Sequence, residues 1–274
     1  MKRVIASINL LLAIVITLSF AHNESYSHNF YKNAPSIFFT WITQAEVENE
    51  LVRSNFAGNT SLALEHAENT AKLLKDIFYF DNDTDDSDFR KTYDRMKEGL
   101  NGTTNALIAA NLADEILKQY GLALGFNSSV VSNLANMSMM GMSLSSYPLT
   151  ENKSGVGLMS KGAINQQMNT TTNNLDGDKT IVNQVNYQTT IKLADSLKSL
   201  FLLDLRNASL PNSTGLMRMP MEVKTASVND LGVGINNLIS AIHRKGSLDE
   251  IASVVHGQIH PNVYIAFNLK LLSE

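Results

Sequence analysis

Asp81, Asp83 and Asp85 alternate within the acidic run Asp81-Asn-Asp-Thr-Asp-Asp-Ser-Asp88. At that spacing their carboxylates could surround calcium as the opening positions of an EF-hand loop do. The match then fails: the sixth position is Asp86 where glycine is needed, and the twelfth is Thr92 where a bidentate glutamate is needed. A solvated loop between helices, with Asp88 capping the second one, explains the same residues.

Methionine supplies another candidate chemistry. Met137, Met139, Met140 and Met142 form one cluster, and Met217, Met219 and Met221 form another. Thioethers are soft ligands for cuprous copper and survive where thiols would be oxidised, so 11 methionines beside no cysteine fit copper handling. The commoner use of methionine is to fill apolar gaps and flexible contact surfaces.

His256 and His260 stand four apart, so on one continuous helix they would share a face as metal ligands, with Glu250 as a neighbour. Pro261 argues against that geometry, because the residue before proline is pushed out of the α region; His260 is expected beyond the helix end. His66 falls on an apolar stripe beside Glu65 and reads as a hydrogen-bonded core histidine. Without cysteine there is no disulfide framework, thiolate site or cysteine nucleophile. No G-x-S-x-G elbow, H-E-x-x-H pair, phosphate loop, dinucleotide fingerprint or di-iron E-x-x-H pair is present. The catalytic set is therefore read as empty, no cofactor is firmly implied beyond copper or calcium, and the chain is expected not to be an enzyme.

The elements that would carry these residues are helical. A first helix is expected over Ile37–Phe56, with Phe38, Trp41, Ile42, Ala45, Leu51 and Val52 inward and Glu46, Glu48, Glu50 and Arg53 elsewhere. Asn59 suits the N-cap of a second, through Phe78, with Ala63, His66, Thr70, Leu73 and Ile77 as its buried stripe. Phe89, Tyr93, Met96 and Leu100 continue the period. Leu107, Ala110, Ala113, Leu117, Tyr120 and Leu124 extend it past Gly102, as one weakened helix or two.

Residues 126–179 are rich in Asn, Ser, Thr, Gly and Met and read as a linker or long loop. Helical order resumes at Thr180, with Val182, Val185, Thr189, Leu193, Leu197 and Leu200 on one face. Leu231, Ile235, Leu238 and Ile242 mark another helix despite Gly232 and Gly234. Ser247 and Glu250 form a capping box, and Pro261 can open a last helix through Leu272, although that segment also alternates like a strand. The expected fold is mainly α: an antiparallel helical bundle with a long Asn/Ser/Met-rich connection. Its divisions are residues 1–21, 22–125, 126–179 and 180–274, the last completing the same bundle or packing beside it.

Location is written at the N-terminus. Lys2 and Arg3 precede an apolar stretch from Val4 to Phe20, with Ser19 and Ala21 placed for signal peptidase before His22. Residues 1–21 are expected to be a signal peptide or an N-terminal anchor, and all that follows is exported. Ten Asn-x-Ser/Thr sequons fit that context, about twice the chance number; Asn59, Asn82, Asn101, Asn127, Asn152, Asn169, Asn207 and Asn212 are the glycosylation candidates, beside Asn23 and Asn136. A net charge of −4 gives no electrostatic case for nucleic acid, and membrane contact is expected only through residues 4–21 if they are retained.

With its segments Leu62-Ala-Leu-Glu-His-Ala-Glu-Asn-Thr70 and His260-Pro-Asn-Val-Tyr-Ile-Ala-Phe267, the chain resembles uncharacterised exported helical proteins of ammonia-oxidising archaea. The resemblance implies an extracytoplasmic location and assigns no active residue. The expected function is non-enzymatic binding of a protein or small-molecule ligand, as a sensor-like, ligand-binding or cell-surface module. The alternative is metal handling, with copper on Met and His or calcium on the aspartate loop.

Overall fold

Asparagine starts most of the helices. Asn33, Asn59, Asn101 and Asn183 each precede a helix, and their side-chain oxygens accept the backbone N–H of Ser36 (2.8 Å), Leu62 (3.2 Å), Thr104 (2.9 Å) and Asn186 (3.1 Å). Each satisfies one of the donors that a helix start leaves unpaired. Ser247 does the same for Glu250 at 3.2 Å, while the Glu250 carboxylate turns to Arg244, so only half of the expected capping box forms.

The computed structural model describes residues 30, 32–80, 89–127, 180–212 and 219–269. Its helices are α1 (Ala34–Asn55), α2 (Thr60–Phe78), α3 (Phe89–Glu98), α4 (Gly102–Ala123), α5 (Gln184–Leu200, continued by a π turn, Phe201–Leu205) and α6 (Met221–His243). The last, α7, runs as α-helix Leu248–Val254, π turn Val255–Ile259 and α-helix His260–Phe267. The fold is mainly α, and no strand element is found among the described residues.

Helix α4 is the axis of the molecule. Its run from Ala106 to Ala113 is buried without interruption, and Ile116, Leu117 and Tyr120 continue it. A helix apolar on all sides is stable only when other helices surround it. Small alanines let α1, α5 and α7 approach it closely, and α6 packs against α5 and α7. One apolar cluster joins Leu51 of α1, Leu193 of α5, Leu238 of α6 and Val263 of α7 to this axis. Each buried Leu or Ile contributes roughly 1.5–3 kcal/mol. The Tyr120 hydroxyl donates to the Gly246 carbonyl (2.6 Å) and the Tyr187 hydroxyl to that of Ile242 (3.1 Å), fixing the α6–α7 turn to α4 and α5.

The chain returns from its long connection to the point where it left. The backbone N–H groups of Val182 and Asn183 both donate to the Ala123 carbonyl at the end of α4, at 2.9 and 3.1 Å. Gly125, at φ +87°, makes the turn there in a conformation other residues avoid. A second, smaller cluster lies at one end of α1, where Phe38, Ala45, Ile77 and Met96 pack with Trp41, Phe80 and Tyr93.

Several expected boundaries shift. Asn33 starts α1 three residues early, and Pro35 fits its first turn. Gly99 and Leu100 separate α3 from α4, so the periodic stretch is two helices. Asn183 starts α5 later than Thr180, leaving Val182 exposed instead of on the buried face. Asn268 ends α7 with a left-handed residue, φ +52°, before Leu272. Glu48, expected on the outer side of α1, is buried. The N-terminal segment 1–21 and most of 126–179 lie outside the described residues.

Candidate metal centre

The π turn in α7 changes what Pro261 does. Proline has no N–H, and its ring normally clashes with the preceding turn. Here the His260 N–H bonds back to the Val255 carbonyl, five residues away, and the wider turn lets His260 keep helical angles (φ −58°, ψ −46°) directly before Pro261. His260 therefore stays on the helix, correcting the expectation that proline would expel it. The His256 and His260 rings meet with centroids 4.9 Å apart and their Nδ1 atoms at 3.3 Å.

Helix α4 completes the group. Asp114 points its carboxylate at α7, with Oδ1 3.2 Å from His260 Nε2. The Ala110 carbonyl, one turn earlier on α4, also faces this ring. Burial alone would lower the His260 pKa, but the Asp114 charge and hydrogen bond and the Ala110 carbonyl raise it above the ordinary value. Both side chains are more than nine-tenths removed from solvent. The Phe30 edge closes the far side of the ring at 5.2 Å between centroids.

One ligand atom from each of Asp114, His256 and His260 can be chosen so that all lie within 4.8 Å of one another. Two imidazoles and a carboxylate are a borderline-soft set suited to zinc and similar divalent ions. Tetrahedral zinc, with bonds of about 2.0–2.2 Å, sets neighbouring ligand atoms roughly 3.3–3.5 Å apart. The 3.2 and 3.3 Å separations use different nitrogens of His260, so only one of them can be an edge of the same site. Binding would therefore draw the third side chain inward from within 4.8 Å. The Ala110 carbonyl would orient the imidazole, as partners of metal-bound histidines usually do.

Comparisons with protein-family models, curated proteins and solved structures find no match. The functional reading thus rests on the geometry of this chain.

The sequence located only part of this centre. Glu250, expected beside the histidines, pairs with Arg244 at the start of α7. Asp114 was missed, although its signal was present: the Asp114-Glu115 pair follows a buried, mostly apolar run from Ala106 to Ala113. Asp81, Asp83, Asp85, Met137, Met139, Met140, Met142 and Met217 lie outside the described residues, as do Asn82, Asn136, Asn152 and Asn169. Met221 is exposed and Met219 half-buried at the entrance to α6. His66 is a hydrogen-bonded core histidine as expected, but it bonds to Glu48 across helices and not to adjacent Glu65. Asn59, Asn101, Asn127, Asn207 and Asn212 are all exposed. Among the described residues no helix is long and apolar enough to cross a membrane.

Proposed function

We propose that this protein is a non-enzymatic, extracytoplasmic helical-bundle protein that holds one divalent transition-metal ion of the zinc class between α4 and α7. The convergence of Asp114, His256 and His260, the last buried and the other two half-buried, carries the reading. Burial favours holding an ion over turning over a substrate, which would need an open coordination position and an access path. Cuprous copper would prefer thioethers to this imidazole and carboxylate set. Imidazole and carboxylate do not oxidise as thiolates do, which suits a chain whose leader and sequons indicate export and which contains no cysteine.

Zinc titration of the metal-stripped protein tests this. The expected result is about one zinc per chain and a rise in melting temperature, since an ion at a hundred times its dissociation constant stabilises by about 2.7 kcal/mol. His256→Ala and Asp114→Asn should each weaken binding by more than about tenfold. Undiminished binding in both variants, or no zinc-dependent stabilisation of the parent, would remove the proposal.

A further inference from the structure

Helix α2 buries only Ala63, His66 and Ile77. Ile77 belongs to the aromatic cluster at the helix's C-terminal end, whereas His66, fully buried, fastens its first half to the rest of the bundle. Its Nδ1 lies 2.7 Å from Glu48 Oε2 on α1, and its Nε2 lies 3.0 Å from Gln188 Oε1 on α5. The second Glu48 oxygen accepts from the Thr189 hydroxyl at 2.6 Å.

The protonation state of this histidine follows from its neighbours. The Leu51 carbonyl can only accept, so the Asn55 atom 2.9 Å from it is the amide nitrogen. That same nitrogen donates to Gln188 Oε1 at 2.9 Å, and Gln188 Nε2 returns a bond to Asn55 Oδ1 at 3.3 Å. Leu51 thereby fixes Asn55, Asn55 fixes Gln188, and the Gln188 carbonyl faces His66 Nε2. The Glu48 carboxylate faces Nδ1. Both ring nitrogens thus meet acceptors, and neutral imidazole has only one N–H to give.

We propose that His66 is held as an imidazolium paired with Glu48, and that its proton is the clasp that closes the first half of α2 onto α1 and α5. The charged groups that face it are Glu48 from α1 and Glu65 from its own helix, while α5 contributes only the neutral Gln188 and Thr189. Burial opposes the charge, but these partners outweigh it and raise the pKa. When α2 opens, the histidine returns to the free value of about 6.5. The clasp is therefore at full strength below about pH 6.5 and weakens as pH rises through the raised folded value. Within that window the opening equilibrium rises by up to about tenfold per pH unit.

Nitrogen-15 spectra of the histidine rings and amide exchange along α2 test the clasp on the wild-type protein. Both His66 nitrogens should carry protons at about pH 6.5, with a titration midpoint above that value. Exchange across the first half of α2, residues 60–69, corrected for its intrinsic pH dependence, should accelerate as pH rises while α6 stays protected. Gln188→Glu adds a second carboxylate and should move the midpoint upward; His66→Gln should abolish the pH dependence. A neutral His66 at that pH, or exchange along α2 with the same pH dependence in His66→Gln as in wild type, would overturn the proposal. This clasp stands apart from the metal site and survives the failure of that reading.

Discussion

Asp114 Oδ1 and His260 Nε2 lie 3.2 Å apart across the packed faces of α4 and α7, each side chain almost wholly withdrawn from water. A carboxylate there is stable only with a partner, because an unpaired buried charge costs several kcal/mol. Asp114→Asn keeps the shape and removes the charge. In metal-free protein it should lower stability by about 1–3 kcal/mol. Zinc should then raise the urea midpoint of the parent more than that of the variant, and an equal rise in both would separate Asp114 from the ion.

Glu48 and His66 make a second buried pair with its own pH signature. Because the folded pKa of His66 is raised, the pair stabilises fully below about pH 6.5 and loses that contribution as pH climbs through the folded value. Wild-type protein should therefore become less stable from neutral toward alkaline pH. Glu48→Gln should be destabilised at neutral pH by about 3–5 kcal/mol, the cost of removing one member of a buried pair. Its stability should also vary less with pH over that range. Parallel profiles in denaturant-melting experiments would show that the pair does not set the dependence.

The sequence disclosed elements better than it disclosed meetings between them. Period and capping residues were sufficient for α2, which begins and ends where Asn59 and Phe78 indicated. They also marked the helix faces carrying Leu193, Leu238 and Tyr120. Contacts between distant segments leave no local trace, so neither Asp114 beside His260 nor Gln188 beside His66 could be read from spacing. Glu48 was misplaced because a charged side chain normally marks the outer face of a helix. Proline at 261 misled for a local reason, since the π turn that accommodates it has no simple sequence signal.

The return of Val182 and Asn183 to the Ala123 carbonyl brings the ends of the long connection together. Replacing residues 128–179 by a short Gly/Ser linker should therefore preserve the helical content and the Asp114–His260 site. It also deletes Met137, Met139, Met140 and Met142. Zinc binding should survive the deletion, and any copper binding that depends on those thioethers should not. Loss of zinc binding from a shortened protein that retains its circular-dichroism spectrum would place essential ligands in the deleted segment.

Asn59 and Asn101 belong to sequons and also cap α2 and α4 through their side-chain oxygens. In glycan-free protein, Asn59→Gln and Asn101→Gln should each cost about 0.5–2 kcal/mol, because the longer side chain is a poor cap. Asn207→Gln and Asn212→Gln, at exposed positions outside the helices, should change stability by less than about 0.5 kcal/mol. Equal effects at all four positions in chemical denaturation would argue against the capping role.

Gly232 is a place where the sequence suggested a weak helix and the packing explains the residue. A Cβ at this position would lie 2.8 Å from two atoms of the Phe201 ring, which projects from the π turn of α5. Alanine is the better helix former by about 1 kcal/mol, so a purely local view predicts that Gly232→Ala stabilises α6. The ring contact predicts the opposite, a net loss of about 1–3 kcal/mol from overpacking. Phe201→Leu should cost stability alone but make room for the added methyl, so the double variant should be more stable than the sum of the single changes implies. A stabilised Gly232→Ala, or strictly additive losses, would show that helix propensity outweighs packing at this crossing.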